Sequence, residues 1–261
     1  MIQPRKRFGQ HFLHDPAVLD HIVSAIHPHE SDCMVEIGPG LGALTKRLLP
    51  LLKQLEVVEL DRDLIPVLIE DCQSLGNLIM HQADALKFDF SSLTTTPRSL
   101  RVVGNLPYNI STPLLFHLLD NASIIQDMHF MLQKEVVDRI VAKPDTSAYG
   151  RLSVMVQSRC EAISLFNVGR GAFTPPPKVE SAVIRLIPYE NPPFAIADPE
   201  LFEQIVRAAF GQRRKTLRNS LKAFITPEQW EILPLDPMLR AEQLSVENFA
   251  VLSNIIQQLN V

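Results

Sequence analysis

The sequence predicts an α/β protein: a Rossmann-like, mostly parallel sheet, followed by a small all-α domain. Three observations carry that expectation. Short apolar runs suited to strands alternate with segments of helical periodicity from Met34 to about Leu186. The run Met34-Val35-Glu36-Ile37 meets the glycine turn Gly38-Pro39-Gly40-Leu41-Gly42, and the next apolar run carries Glu59, 21 positions after Gly38. That is the spacing of a βαβ nucleotide site. The aperiodic stretch from Tyr189 through Pro199 contains three prolines, beyond which only helical patterns follow. The expected domains are therefore residues 1–188 and 189–261.

Composition narrows the class of protein. A formal charge of -4 on 261 residues excludes a generally basic nucleic-acid coat, although local basic patches remain open. Cys33, Cys72 and Cys160 are odd in number, with no Cys-x-x-Cys pair, which fits reduced thiols in a cytoplasm and offers no zinc site. Phe8-Gly9-Gln10-His11 stands where a signal peptide would need a long apolar region. No apolar run approaches the roughly 20 residues of a membrane span, so a cytoplasmic protein with no membrane partner is expected.

In chain order, Met1 to His14 form a basic and aromatic arm, and Asp15-Pro16 opens a helix with apolar residues at Val18, Leu19, Ile22, Val23 and Ile26. His27 and His29 read as an exposed loop at its end, with no third metal ligand nearby. The glycine turn leads into a helix from about Ala43 to Leu49, then the strand Leu55 to Leu60. A helix through Leu64, Val67, Leu68 and Cys72 precedes the strand Leu78 to Gln82, with Asp84 just past its end. A lone acid there is often a helix cap. With Gly38 and Glu59, however, Asp84 is the third point of an adenosine-shaped pocket: glycine backbone, ribose acceptor and base acceptor on three successive strands. Pro39 removes a backbone N–H that pyrophosphate would use, which argues against a dinucleotide.

The next strand, Arg101-Val102-Val103, delivers Gly104-Asn105-Leu106-Pro107-Tyr108-Asn109 at its carboxyl end, where ligands bind in an open α/β sheet. Thr112 and Pro113 look like an N-cap and first helical residue, opening a helix through Leu114 to Leu119. The run Met128 to Gln133 is the fifth strand, and His117 and His129 read as core or edge histidines. A helix carrying Val136, Val137 and Ile140 and another starting near Tyr149 follow. Ala162 to Phe166 and Ser181 to Ile187 look like a paired sheet edge, joined by a loop stiffened by Pro175, Pro176 and Pro177. On that loop Phe173 is placed either to stack on a base or to pack on the sheet. Past the linker, Phe202, Ile205, Val206, Ala209 and Phe210 form a helical stripe. Arg214, Arg218 and Lys222 recur every four positions, with no acid between Arg207 and Glu228, which favours phosphate binding on one helical face. Trp230 to Val261 read as short helices.

From end to end the chain resembles the KsgA family of ribosomal RNA adenine N6,N6-dimethyltransferases. The motifs are Arg5-Lys6-Arg7-Phe8-Gly9-Gln10-His11-Phe12-Leu13, Glu36 to Gly42, Val58-Glu59-Leu60-Asp61, Asn105-Leu106-Pro107-Tyr108-Asn109, Phe173 to Val179 and Phe210-Gly211-Gln212-Arg213-Arg214-Lys215. The resemblance implies a class I S-adenosylmethionine-dependent methyltransferase sheet. It places S-adenosyl-L-methionine at His11, Leu13, Gly38, Gly40, Glu59, Asp84 and Asn105. Family members often have Asn where this chain has His11, which favours a backbone contact at Leu13 over the His11 side chain. The resemblance also implies a target adenosine at Asn105, Leu106, Pro107 and Tyr108, with Phe173 as a second wall, and no metal. Contacts to RNA would come from Arg5, Lys6, Arg7, Arg213, Arg214, Lys215, Arg218 and Lys222. The implied partner is small-subunit ribosomal RNA in a pre-30S particle, bound by a monomer. Rival readings are the related large-subunit rRNA methyltransferases, a non-catalytic assembly or transcription factor that keeps the fold, and an NAD-dependent enzyme.

Overall fold

The structure, a computed structural model, describes residues 11–212 and 214–259. Its elements in order are β1 (Phe12–Leu13), α1 (Pro16–Ile26), β2 (Cys33–Ile37), α2 (Thr45–Leu48), β3 (Leu55–Glu59), α3 (Ile65–Cys72), β4 (Leu78–Gln82), β5 (Leu100–Asn105), α4 (Ser111–Leu119), β6 (Ile125–Gln133), α5 (Lys134–Ile140), α6 (Arg151–Gln157), β7 (Cys160–Val168), β8 (Phe173–Thr174), β9 (Ser181–Pro188), α7 (Pro199–Phe210), α8 (Leu217–Ser220) and α9 (Val246–Leu259).

Seven strands form one sheet in the order β4-β3-β2-β5-β6-β9-β7. The pairs from β4 to β6 are parallel, and β9 runs antiparallel to β6. The chain winds outward from β2 through β3 to β4, then returns to place β5 on the other side of β2. The order therefore reverses between β2 and β5, and at such a switch point the loops at the strand ends part into a crevice. Those two loops are the glycine turn and the Asn105 segment. β1 and β8 form a separate two-stranded ribbon, pairing Phe12 with Thr174 and Leu13 with Phe173.

Local chemistry explains the boundaries. Asp15 caps α1, its Oδ1 accepting from the N–H groups of Ala17 and Val18 at 2.9 and 3.2 Å, and Pro16 takes a position that needs no donor. His27 closes α1 in the left-handed region at φ 51°, donating its N–H to the Val23 carbonyl. α4 starts at Ser111 rather than after Thr112. The turn from Pro107 to Ile110 runs straight into it, so Pro113 occupies the first turn, where its missing N–H leaves no bond unmade. On the face of the sheet that meets α1, α2 and α3, the core contains Leu19, Ile22, Leu48, Leu68, Val103 and Met131. Gly104 lets β5 lie close to β2: a Cβ there would stand 2.6 Å from the Ile37 carbonyl oxygen, a backbone atom with no freedom to move aside. Gly104→Ala is expected to cost about 1–3 kcal/mol, read as a lowered urea midpoint with an unchanged slope.

The chain divides into two compact units, residues 1–137 with 163–188, and residues 138–162 with 189–261. The break at 188 lies where the linker was expected, but 138–162 groups with the carboxyl-terminal segment instead of with 1–188. The reason is long-range bonding. Tyr149 donates its hydroxyl to the Leu244 carbonyl at 2.8 Å, and the Asp145 N–H donates to the Glu242 carbonyl at 2.9 Å. In that unit α7 buries Phe202, Ile205, Val206 and Ala209, and packs on α9.

α8 departs most from expectation. It is four residues long, so Arg214, Arg218 and Lys222 do not lie along one continuous helix. The N–H groups of Leu217 and Arg218 bond instead to the carbonyls of Leu239 and Pro237, and Leu217 and Leu221 are buried. The cations remain on the surface: Arg214, Lys215, Arg218 and Lys222 are all exposed. Arg5, Lys6, Arg7 and Arg213 lie outside the described residues.

Candidate active site

A cavity of about 870 Å³ opens at the carboxyl ends of β2, β3, β4, β5 and β6, within the first unit. It is large enough for a nucleoside-sized cofactor together with part of a second ligand. Its lining includes His11, Leu13, Gly38, Gly40, Glu59, Asp84, Asn105, Leu106, Pro107 and Tyr108, so the expected cofactor and target residues share one space.

At one side lies the glycine turn. Gly38 and Gly40 adopt φ of 66° and 59°, a region that L side chains rarely enter. Gly40 is also crowded, since a Cβ would meet the Phe12 ring at 3.2 Å, whereas Gly38 faces open space. Glu59 ties this loop down from β3: one carboxylate oxygen accepts the Gly40 N–H at 3.2 Å and the other accepts the Asp61 N–H at 2.7 Å. Burial pushes the Glu59 carboxyl above its usual range, and the N–H groups of Asp61, Gly40 and Leu60 oppose the shift. Asp84 Oδ1 accepts the Leu86 N–H at 3.0 Å, so Asp84 does cap the turn after β4, as a lone acid would, while also lining the cavity. Between these acids Leu60 and Leu86 supply apolar wall.

That donor set fits S-adenosyl-L-methionine. Open backbone at Gly38 admits a close-lying ligand, Glu59 keeps lone pairs for ribose hydroxyls beyond its backbone bonds, and Asp84 Oδ2 suits an exocyclic amine.

Glu36, on β2, is a site residue that the sequence reading passed over. It lines the cavity floor at 2 % exposure and accepts the Thr45 hydroxyl at 2.6 Å. Burial pushes its carboxyl up to about 7; the Thr45 bond opposes this and the nearby Glu59 charge adds to it. The signal in the sequence is an acid inside an otherwise apolar strand, immediately before the glycine turn. Because the folded protein holds this proton to about pH 7 and the unfolded chain releases it near 4.5, stability falls as pH rises through that window. At about 1.4 kcal/mol per pH unit the loss reaches roughly 3 kcal/mol. Glu36→Gln keeps an acceptor for Thr45 and removes the proton, so it should be more stable than the parent at pH 8 and should lose that advantage at pH 4.5. Urea denaturation at the two pH values checks this.

At the other side of the cavity lies the β5 loop. The Leu106 N–H donates to the Met131 carbonyl on β6 at 3.2 Å. The Pro107 carbonyl accepts from Ile110 and the Tyr108 carbonyl from the Ser111 hydroxyl, while no donor to the Leu106 carbonyl is found among the described residues. Asn105 donates its side-chain Nδ2 to the His11 carbonyl at 3.1 Å. Tyr108 is held at both ends. Its hydroxyl meets the buried Ser181 hydroxyl at 2.9 Å, and its ring lies 5.7 Å from the His11 ring at 30°. Burial raises the Tyr108 phenol above its usual value, so it stays neutral.

Phe173 is a correction. It is 3 % exposed, belongs to the core with Leu13, Val168, Ala172 and Val183, and does not line the cavity, so it is not a wall for a base. Its backbone pairs with Leu13 in the β1–β8 ribbon, which turns the side chain into the interior. His117 is a satisfied histidine as expected, bonding to the Phe88 carbonyl at 2.8 Å. His129 departs from that expectation: it is buried, with its imidazole pushed down to about 4 by burial, yet it lines the cavity and neither ring nitrogen has a hydrogen-bond partner among the described residues. Among the described residues no group of three His, Cys, Asp or Glu is placed to hold a metal, and no helix is long and apolar enough to cross a membrane.

A crevice at the β2/β5 switch point, lined by a glycine turn, the acid on β3 and the loop after β5, defines a Rossmann-like, class I S-adenosylmethionine-dependent methyltransferase. Similarity to known proteins narrows the class. The model of the family described as "Ribosomal RNA adenine dimethylase" matches residues 1–258. Proteins named "Ribosomal RNA small subunit methyltransferase A" are 58 % identical over 254 residues in Pseudomonas syringae pv. syringae (97 % of this chain, 95 % of the relative) and 56 % identical over 255 residues in Pseudomonas aeruginosa (98 % and 95 %). Among solved structures, a dimethyladenosine transferase from Plasmodium falciparum superimposes with a TM-score of 0.80 at 28 % identity (96 % of this chain, 99 % of that one). The 23S rRNA methyltransferase ErmE gives 0.73 at 25 % (95 % and 100 %). The chain belongs to the ribosomal RNA adenine dimethylase family.

Proposed function

We propose that this protein transfers methyl groups from S-adenosyl-L-methionine to N6 of two adjacent adenosines in a loop near the 3′ end of small-subunit rRNA, giving N6,N6-dimethyladenosine. The observation that carries the reading is the continuity of one cavity from Gly38, Glu59 and Asp84 to Asn105, Leu106 and Tyr108.

The cofactor supplies an electrophilic methyl group on a sulfonium. The chain's own residues prepare the nucleophile. An adenine amine is weakly nucleophilic because its lone pair is delocalised into the ring. With Asn105 Oδ1 and the Leu106 carbonyl accepting its two hydrogens, the nitrogen turns pyramidal and its lone pair is freed for attack. Alignment in a confined cavity then provides most of the rate, with no strong general base required. The amine proton leaves to solvent after the transfer. Tyr108, fixed by Ser181, gives the extruded base a stacking surface that offsets the few kcal/mol lost on unstacking.

The second transfer needs room, because a methyl group then replaces one amine hydrogen. Strand register sets Met131 beside Asn105 and Val183 beside Met131, and both side chains line the cavity, so the neighbourhood of the acceptor is apolar.

Substrate capture would rest on exposed cations of the second unit and on the amino-terminal arm, with the protein acting as a monomer on a pre-30S particle in the cytoplasm. Replacing Arg214 and Arg218 with Ala is expected to weaken RNA binding at low salt and to flatten the slope of log affinity against log salt by about 2. Filter binding across a salt series measures it, and an unaltered slope would return these residues to ordinary solvation. The choice of substrate is tested by offering labelled cofactor with immature small subunits, large subunits or free RNA. Label entering the small-subunit particle supports the reading, and label entering the large subunit would contradict it.

A further inference from the structure

An asparagine amide has two ends of similar shape and opposite chemistry. For the role proposed above, Asn105 must present Oδ1 to the target amine. Rotated by half a turn, it would present an NH2 group to another NH2 group, and the site would repel its substrate. What sets the orientation is a contact outside the sheet. Asn105 Nδ2 lies 3.1 Å from the His11 carbonyl oxygen, and a carbonyl can only accept, so this contact is made by Nδ2 alone and selects one of the two orientations.

The His11 carbonyl is itself held firmly. It precedes β1, whose partner β8 fixes Phe12 against Thr174 and Leu13 against Phe173. The His14 N–H donates to the Ala172 carbonyl at 2.9 Å, and His11 Nδ1 bonds to the Pro175 carbonyl at 2.8 Å. Leu13 and Phe173, at 6 % and 3 % exposure, anchor the ribbon in the core, while the Phe12 ring covers Gly40. β1 and the residue before it thus touch the cofactor loop, the proline loop and the amide at the reaction centre.

We propose that β1 is a positioning strap: the His11 main-chain carbonyl locks the Asn105 amide with Oδ1 toward the target amine, so the seated arm governs methyl transfer more than cofactor binding. The inference rests on the methyltransferase reading of the cavity. It makes His11 a positioning residue through its backbone, which tolerates a change of side chain.

The bond is observable in the full chain as a scalar coupling across the hydrogen bond between 15N of Asn105 Nδ2 and 13C of the His11 carbonyl. The coupling is expected, and it should persist in His11→Ala; its absence from the full chain overturns the strap. A full-length chain with an ester in place of the His11–Phe12 peptide bond then isolates the carbonyl, because an ester carbonyl is a weaker acceptor while every side chain is kept; an ester at Phe12–Leu13 is the control for the lost N–H. The His11–Phe12 ester should weaken the Asn105 coupling and lower the single-turnover rate at saturating cofactor by about three- to tenfold relative to the control ester, with cofactor affinity within about threefold by calorimetry. Equal rates in the two esters would overturn the strap and leave the methyltransferase reading intact. A full chain that shows the coupling but neither binds the cofactor nor methylates RNA would overturn that reading instead.

Discussion

Asn105→Ala should lower methyl transfer by on the order of 10²–10³-fold while S-adenosyl-L-methionine affinity stays within a few-fold of the parent. The magnitude follows from removing one of two preorganised acceptors in a confined site, comparable to deleting one donor of an oxyanion hole. In the proposed mechanism, with Oδ1 gone only the Leu106 carbonyl would restrain the amine, and the lone pair would no longer be steered. The substitution also leaves the His11 carbonyl without its donor, at a folding cost of about 1 kcal/mol, too little to unfold the chain. Single-turnover assays and calorimetry on the same preparation separate the two effects. Near-normal turnover would remove Asn105 from the chemistry.

Glu59→Ala should act on the opposite half of the site, weakening cofactor binding by about 10²-fold. Glu59 holds the Gly40 and Asp61 N–H groups and, in the proposed function, also offers lone pairs to ribose, so its loss would both delete a ligand contact and free the glycine turn. Charge-assisted bonds of this kind contribute about 1.5–3 kcal/mol each, which sets the scale. Glu59→Gln, which keeps the shape but places an NH2 group against one of those N–H donors, should fall between the two. An unchanged dissociation constant in Glu59→Ala would show that the turn is preorganised without Glu59 and that ribose binds elsewhere.

Much of this site was legible in the sequence because it is local. The strand-turn-helix around Gly38, the acid on the next strand, Asp84 after β4 and the Asn105 loop after β5 each depend on neighbours within a few residues, and the sheet order brings them together. The parts that were not legible depend on distant partners. Arg101, within a run read as apolar, is a buried cation whose guanidinium bonds to Asp127, Asp32 and the Ile26 carbonyl, and periodicity could not have shown that. Phe173 sits on a loop whose composition suggests exposure, but a two-residue ribbon with β1 turns it inward. The spacing of Arg214, Arg218 and Lys222 fits a helix, yet bonds from Leu217 and Arg218 to the segment 237–239 hold that stretch in another shape. The grouping of 138–162 with the carboxyl-terminal segment has the same origin, in bonds that span about a hundred positions, such as Tyr149 to Leu244. Glu36 was visible as an acid in an apolar strand, but its raised carboxyl follows from burial, which only the fold reveals.

In the proposed function one cavity brings a methyl donor and an adenine amine together twice at the same nitrogen. This is tested most directly by incubating the protein with isotopically labelled S-adenosyl-L-methionine and unmethylated small subunits, digesting the RNA to nucleosides and identifying the product by mass spectrometry. The expected product is N6,N6-dimethyladenosine carrying two labelled methyl groups, formed by the parent and not by Asn105→Ala. Label on another atom or base, or a product that stops at one methyl group under prolonged incubation, would contradict it.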